Sequence, residues 1–280
     1  MSITELAPAK LNLALDVTGR REDGYHTLRT VMQTIDWYDT VTVDFAEDGD
    51  IHLSCDGGIP SDETNIAYRA AVLFREQTGR REGYAITVQK QIPSEAGMAG
   101  GSADGAAVLR ALNRLTGEPL PTDTLAAISA KLGADVPFCV VGGTALATGI
   151  GTELSPLPAL PDCCFVVVKP DGGVSTPQAY RLLDSAPTLL HPDVTAMCDA
   201  LAHADLDSVI RCMGNSFEQP LALPHTAAIV AALKDGGADH AMLTGSGSAV
   251  FGLFKDAAAA ACTADALRAT YPRTRLCKPI

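Results

Sequence analysis

The sequence predicts an α+β chain in two domains. Strand and helix patterns mix without a regular βαβ alternation, 47% of the 280 residues are apolar, and a proline-rich stretch interrupts the middle. A chain of that length and composition can bury roughly two domain cores. The proline-rich stretch, residues 153–162 (ELSPLPALPD), holds three prolines, which the interior of a helix or strand does not accommodate. It is the predicted boundary between a domain over 1–155 and a domain over 162–280.

Residues 11–17 (LNLALDV) alternate strictly: Leu11, Leu13, Leu15 and Val17 share one face, and Asn12, Ala14 and Asp16 share the other, which Lys10 extends. A second strand is predicted over 40–45. Thr64 is predicted to cap a helix whose Ile66, Ala70, Leu73 and Phe74 share a face and which Gly79 closes. A strand over 84–90 leads through a glycine-rich loop into a helix over 103–116, striped by Val108, Leu112 and Leu115 and stopped by Gly117. The helix over 122–132 ends similarly at Gly133. The apolar strand 163–168 opens the second half. Helices follow near 178–184, 206–213, 225–234 and 256–270, with strands near 241–244 and 249–254. No internal repeat or low-complexity tract is present.

The formal charge of −12 argues against a nucleic-acid partner, which calls for a basic stripe. It also rules out long-range steering of an anionic substrate, so local groups must hold any phosphate. No apolar run approaches the ~18 residues of a spanning helix, and residues 1–10 lack an apolar signal region, so neither membrane insertion nor secretion is expected. The cysteines at 55, 139, 163, 164, 198, 212, 262 and 277 fall mostly inside apolar patterns and never form CxxC. They read as buried, reduced thiols of a cytoplasmic protein.

Residues 92–107 (IPSEAGMAGGSADGAA) form the strongest local feature. Gly97, Gly100 and Gly101 let backbone approach a ligand closely, and the helix start behind them offers free N–H groups and a positive dipole end. That is a recipe for a phosphate cradle, although it matches neither GxxxxGK[ST] nor GxGxxG, and a tight turn serving helix packing is the alternative. Lys10 is either a phosphate-facing cation or a solvated surface lysine. Asp135, between the helix stop Gly133 and Pro137, reads equally as a turn or capping aspartate. Residues 20–26 (RREDGYH) gather two cations, two acids, an aromatic and an imidazole around one glycine, as a polar hairpin tip would. Residues 242–251 (MLTGSGSAVF) read as a glycine hairpin or as a second glycine-lined wall of a nucleotide site.

In this order and at these spacings, the segments resemble the GHMP kinases through nearly the whole chain. Residues 7–28 (APAKLNLALDVTGRREDGYHTL) match the opening PAK-x-N-L-x-L through R-x-DGYH-x-L, and DGYH marks the branch acting on CDP-methylerythritol rather than mevalonate or homoserine. Residues 92–102 match the family's ATP-binding glycine loop, 133–139 its GADVPF segment and 242–251 its C-terminal glycine motif.

The resemblance implies a two-domain GHMP kinase architecture with the active site in the cleft between the domains, ATP as co-substrate and Mg²⁺ bridging its phosphates. It makes Lys10 and Asp135 the catalytic pair. It assigns Pro93, Ser94, Glu95, Ala96, Gly97, Met98, Ala99, Gly100, Gly101, Ser102 and Ala103 to ATP, with Asn65 and Lys90 near the nucleotide. Asn12, Tyr25, His26, Thr176 and Tyr180 are the implied substrate ligands; Tyr25 and Tyr180 sandwich the cytosine, and His26 or its backbone reads its edge. Asp135 is expected to accept the hydroxyl proton, and Lys10 to keep Asp135 ionised and neutralise developing charge. The loop departs from the commoner pattern: Met98 stands for Leu, Ala99 for Gly and Ala103 for a second Ser, while Glu95 brings an acid near the phosphates. Ser102 is left as the loop hydroxyl and the candidate Mg²⁺ ligand. The competing readings are another GHMP small-molecule kinase and a non-catalytic nucleotide-binding homologue; the latter predicts decay at Lys10 or Asp135, and both are present.

Overall fold

Two long strands begin the chain, β1 (Ile3–Arg20) and β2 (His26–Ala46), joined by the turn over 21–25, where Arg21 N–H donates to Tyr25 O and Gly24 takes a φ of +89°. The structure, a computed structural model, describes residues 2–117, 120–221 and 223–280. The strand β3 (Ile51–Cys55) is followed by helix α1 (Ile66–Thr78), strand β4 (Gly83–Gln89) and helices α2 (Gly100–Leu115), α3 (Thr122–Ser129) and α4 (Val136–Val141). Next come β5 (Thr144–Thr148), β6 (Glu153–Pro156), β7 (Cys164–Val168), α5 (Thr176–Asp184), α6 (Val194–Ala202), α7 (Leu206–Cys212) and β8 (Gly214–Asn215). The chain ends with α8 (Pro224–Asp235), β9 (His240–Leu243), β10 (Val250–Phe254), α9 (Ala257–Arg268) and β11 (Thr274–Cys277).

By its contacts the chain divides into two compact units, each built from more than one stretch of chain. Unit 1 holds the described residues of 1–9, 37–92 and 99–142; unit 2 holds 10–36, 93–98 and 143–280. β1 and β2 each give one stretch to either unit. In unit 1, Thr40–Ala46 of β2 pair antiparallel with β4, and β3 runs parallel to β4. Against these strands Val43, Ile86 and Val88 share a core with Phe74 of α1 and Leu109 and Leu112 of α2. The helices approach closely because α2 starts with small residues: a Cβ on Gly105 would stand 2.6 Å from Ile66 Cγ2. In unit 2 an antiparallel sheet runs β11-β7-β10-β9, and Val166, Val168 and Phe254 pack with Ile229 of α8, Ala264 of α9 and Leu15 and Val17 of β1.

Local expectations are corrected at several points. Asn65, not Thr64, caps α1: its Oδ1 accepts the Ala67 N–H at 2.9 Å, while Thr64 is held by Asp62 in the preceding turn. The proline-rich stretch opens with a strand after all, because β6 pairs only with β5 and Pro156 sits at its end, where a missing N–H costs no ladder bond. β3, β5, β8, β11, α4 and α6 have no counterpart among the elements expected from sequence, and α3 stops at Ser129. Four of the eight cysteines are buried, three are half-buried and Cys262 is exposed, all as free thiols. Among the described residues no helix is long and apolar enough to cross a membrane.

Candidate active site

Lys10 and Asn12 lie on one face of β1 in unit 2, as the alternation predicts, and both are buried. The Lys10 ammonium donates to Asn12 Oδ1 at 2.7 Å, Asn12 Nδ2 donates to Thr30 Oγ1 at 2.9 Å, and the Asn12 N–H donates to Thr244 Oγ1 at 3.1 Å. A solvated surface lysine is therefore excluded. Asp135 belongs to unit 1, half-buried at the N-terminus of α4, where its side chain makes no capping hydrogen bond. Pro137 fits the first turn of that helix, where its missing N–H is no loss.

The glycine loop is divided between the units. Its first part, Pro93 to Met98, is in unit 2. Met98 O accepts the Lys10 N–H at 3.1 Å, Glu95 O the Ser248 N–H and Ala96 O the Ala249 N–H, both at 3.2 Å. A Cβ on Gly97 would lie 2.2 Å from Thr244 O, so this segment closes backbone to backbone on the hairpin between β9 and β10. The departures from the common loop pattern acquire a physical account here. Met98 is buried, filling the place of one apolar residue with another. Glu95 takes a φ of +51°, and a Cβ on Gly173 would meet its Oε2 at 3.0 Å, so the acid lies over that glycine.

In unit 1, Ala99 is the N-cap of α2 with a φ of +59°, a left-handed conformation that costs an alanine about 1–2 kcal/mol and a glycine nothing. The first ladder bond of α2 runs from Ala103 N–H to Ala99 O at 2.9 Å. The N–H groups of Gly100, Gly101 and Ser102 precede that ladder, and no side chain caps the helix. They lie at the positive end of its dipole.

Lys90 is committed to two buried acids, with Nζ at 2.5 Å from Asp39 Oδ2 and 2.6 Å from Asp104 Oδ2. Burial works against its ammonium, but the Asp104 and Asp39 charges outweigh it and raise its pKa. Burial pushes the Asp104 carboxyl up to about 7 against the pull of Lys90, with the Asp39 charge adding to the rise. The folded chain thus holds a proton on Asp104 that the unfolded chain releases near the ordinary 3.8. The stability this proton contributes is complete below that value and is lost as pH rises through about 7. We expect Asp104→Asn, which cannot ionise, to flatten the fall of melting temperature between about pH 5 and about pH 8. Equal slopes in variant and wild type would contradict this. Asn65, expected beside the nucleotide, caps α1 with Oδ1 and donates from Nδ2 to Pro60 O at 2.7 Å in the segment before that helix.

The remaining expected ligands lie in unit 2. His26 stacks on Tyr180 with ring centroids 4.5 Å apart, and Tyr180 meets Phe217 edge-on at 5.0 Å. Tyr25 stays outside this stack, 63% exposed. Asp184, one helical turn beyond Tyr180 on α5, accepts a 2.6 Å bond from His26 Nε2 and so holds the His26 ring over Tyr180. A carboxylate only accepts, so Nε2 carries the proton. Thr176 opens α5 with Oγ1 at 3.4 Å from Ser246 Oγ. Asp39, Asp104 and Asp184 were not singled out from sequence; the available signal was an acid within an otherwise apolar or small-residue run at the first two.

Residues 65–143 match the family model for the GHMP kinases N terminal domain, and residues 197–273 match that for GHMP kinases C terminal. The 4-diphosphocytidyl-2-C-methyl-D-erythritol kinase of Clostridium perfringens is 41% identical over 268 residues, 95% of this chain and 93% of that protein. A crystal structure of 4-(cytidine 5'-diphospho)-2C-methyl-D-erythritol kinase matches with a TM-score of 0.83 at 36% identity, covering 99% of each chain. The homoserine kinase of Cytophaga hutchinsonii, with a TM-score of 0.78 over 100% of this chain and 94% of its own, is 20% identical and shares the fold alone. With family models on both halves and a relative 41% identical over 95% of this chain, this chain belongs to the GHMP kinases, ATP-dependent phosphotransferases of two-domain α+β fold.

Proposed function

We propose that this chain transfers the γ-phosphate of ATP to the 2-hydroxyl of CDP-methylerythritol, a step of the non-mevalonate route to isoprenoid precursors. The observation carrying this reading is the set of DGYH residues: His26, stacked on Tyr180 and oriented by Asp184, beside an exposed Tyr25. It joins the 41% identity to a kinase named for that substrate. Tyr25 then covers one face of the cytosine, the His26 ring or backbone reads its edge, and Thr176 and Asn12 complete the substrate contacts.

Phosphoryl transfer asks the protein for positioning and charge stabilisation. Asp135 accepts the proton of the attacking hydroxyl, Lys10, steadied by Asn12, neutralises charge on the moving phosphoryl group, and the loop from Pro93 to Ala103 cradles the phosphates. Among the described residues no three His, Cys, Asp or Glu converge as a ready cage. Ser102 would offer a protein hydroxyl to a Mg²⁺ arriving with ATP, which would supply charge neutralisation. Eight cysteines outside any disulfide support a reducing, cytoplasmic compartment.

Turnover with ATP and a panel of CDP-methylerythritol, homoserine and mevalonate tests the proposal: phosphorylation of another acceptor in preference to the first ends it. We also expect CDP to raise the melting temperature more than UDP at matched concentration. Equal protection would remove the cytidine assignment.

A further inference from the structure

We propose that Asp39 and Asp104 are positioning residues for the ATP loop, holding Lys90 between them so that one ammonium fixes both ends of the loop in unit 1. The inference rests on the kinase reading only for the identity of the ligand.

Asp39, on β2, has no solvent exposure. Its Oδ1 accepts the N–H groups of Gln91 at 2.5 Å and Ile92 at 2.8 Å, and its Oδ2 accepts Lys90. The Lys90 N–H goes to a third carboxylate, Asp56, at 2.6 Å. Three successive backbone N–H groups are thus held by acids immediately before the chain leaves unit 1 after Ile92. It rejoins that unit at Ala99, and Asp104, the other acceptor of Lys90, stands in the opening turns of α2. The same ammonium lies 3.5 Å from where a Cβ of Gly100 would be.

As a stabilising device this cluster is poor. One cation serves two buried acids, and Asp104 Oδ1 is buried with no hydrogen-bond partner. Desolvation of that kind commonly outweighs the Coulombic gain, and an apolar trio would hold the core as well. What the cluster does supply is fixed geometry: the exit at Gln91 and Ile92 and the N–H groups at the start of α2 are referred to one point.

Asp39→Ala removes both functions of its carboxylate, whereas Asp39→Asn keeps an oxygen for the two N–H groups and turns an amide towards Lys90. Asp104→Asn leaves the Asp39–Lys90 pair intact. In Asp39→Ala we expect the KM for ATP to rise about 10-fold, the scale of one misplaced charge-assisted hydrogen bond, with kcat and the acceptor KM within about 2-fold. Asp39→Asn and Asp104→Asn should show the same split at smaller size. Hydrogen exchange at residues 91–102 should quicken in the ATP-free variants. An unchanged KM for ATP in a folded variant overturns the proposal, as does an equal rise in both KM values. If Asp39→Ala does not fold, the two asparagine variants decide. Should the wild type fail to use ATP at all, the kinase reading falls on that result, and exchange at 91–102 still decides the clamp: faster exchange supports it, unchanged exchange overturns it.

Discussion

Asp135→Asn is expected to lower kcat by about 10² to 10⁴ while leaving both KM values close to wild type. The amide keeps the size of the side chain and can still accept hydrogen bonds, but it cannot take a proton from the attacking hydroxyl. A structural aspartate at this place would work as the cap of α4, and there Asn would serve about as well as Asp. The side chain makes no such capping bond, so an effect of the substitution does not run through the helix cap. Lys10→Ala should also slow turnover, and the double variant should be little worse than the poorer single one if the two residues act as one unit. Steady-state kinetics alongside melting curves read all three; near-normal turnover in Asp135→Asn would end its claim as the base.

Gly101→Val should cut ATP affinity by about 10- to 100-fold without unfolding the chain, the scale of one charge-assisted hydrogen bond to phosphate. Gly101 is exposed at the start of α2, and a Cβ there meets only Ile66 Cδ1 at an ordinary 3.7 Å. Gly97 is a worse probe, because it combines a φ of +72° with a backbone oxygen 2.2 Å from any Cβ. Gly100 is intermediate, with Ile92 Cγ2 at 3.1 Å. Calorimetric titration with a non-hydrolysable ATP analogue measures the effect. Wild-type affinity in a variant that melts normally would show that the loop serves packing alone.

The parts of the site legible in sequence were those whose chemistry is local. Lys10 and Asn12 share a strand face by a period of two, and the loop glycines sit within a few residues of one another. The Lys90 cluster was not legible, since its acids lie 51 and 14 residues away and nothing in either segment names its partner. Asp184 reaches His26 across 158 residues for the same reason. Strand lengths failed differently. β1 and β2 run 18 and 21 residues, well beyond the predicted 11–17 and 40–45; residues 30–35 of β2 are buried on both faces, where the alternation that reveals a half-exposed strand disappears. The interleaving of 10–36 and 93–98 with the later chain has no sequence signal, because compactness follows contacts and not chain order.

The passage of β1 and β2 through both units bears on how this chain can be cut. A gene fragment starting at residue 143 lacks Leu15 and Val17, which fill the core beside Val166 and Phe254, and lacks the stretches of β1 and β2 that β8 and β5 pair with. The complementary fragment ends with those same strands carrying apolar side chains that have lost their cover. Neither product is an autonomous module. A split version of this enzyme would have to be reconstituted from both pieces, and a chimaera exchanging the C-terminal half for that of a relative would have to exchange residues 10–36 with it.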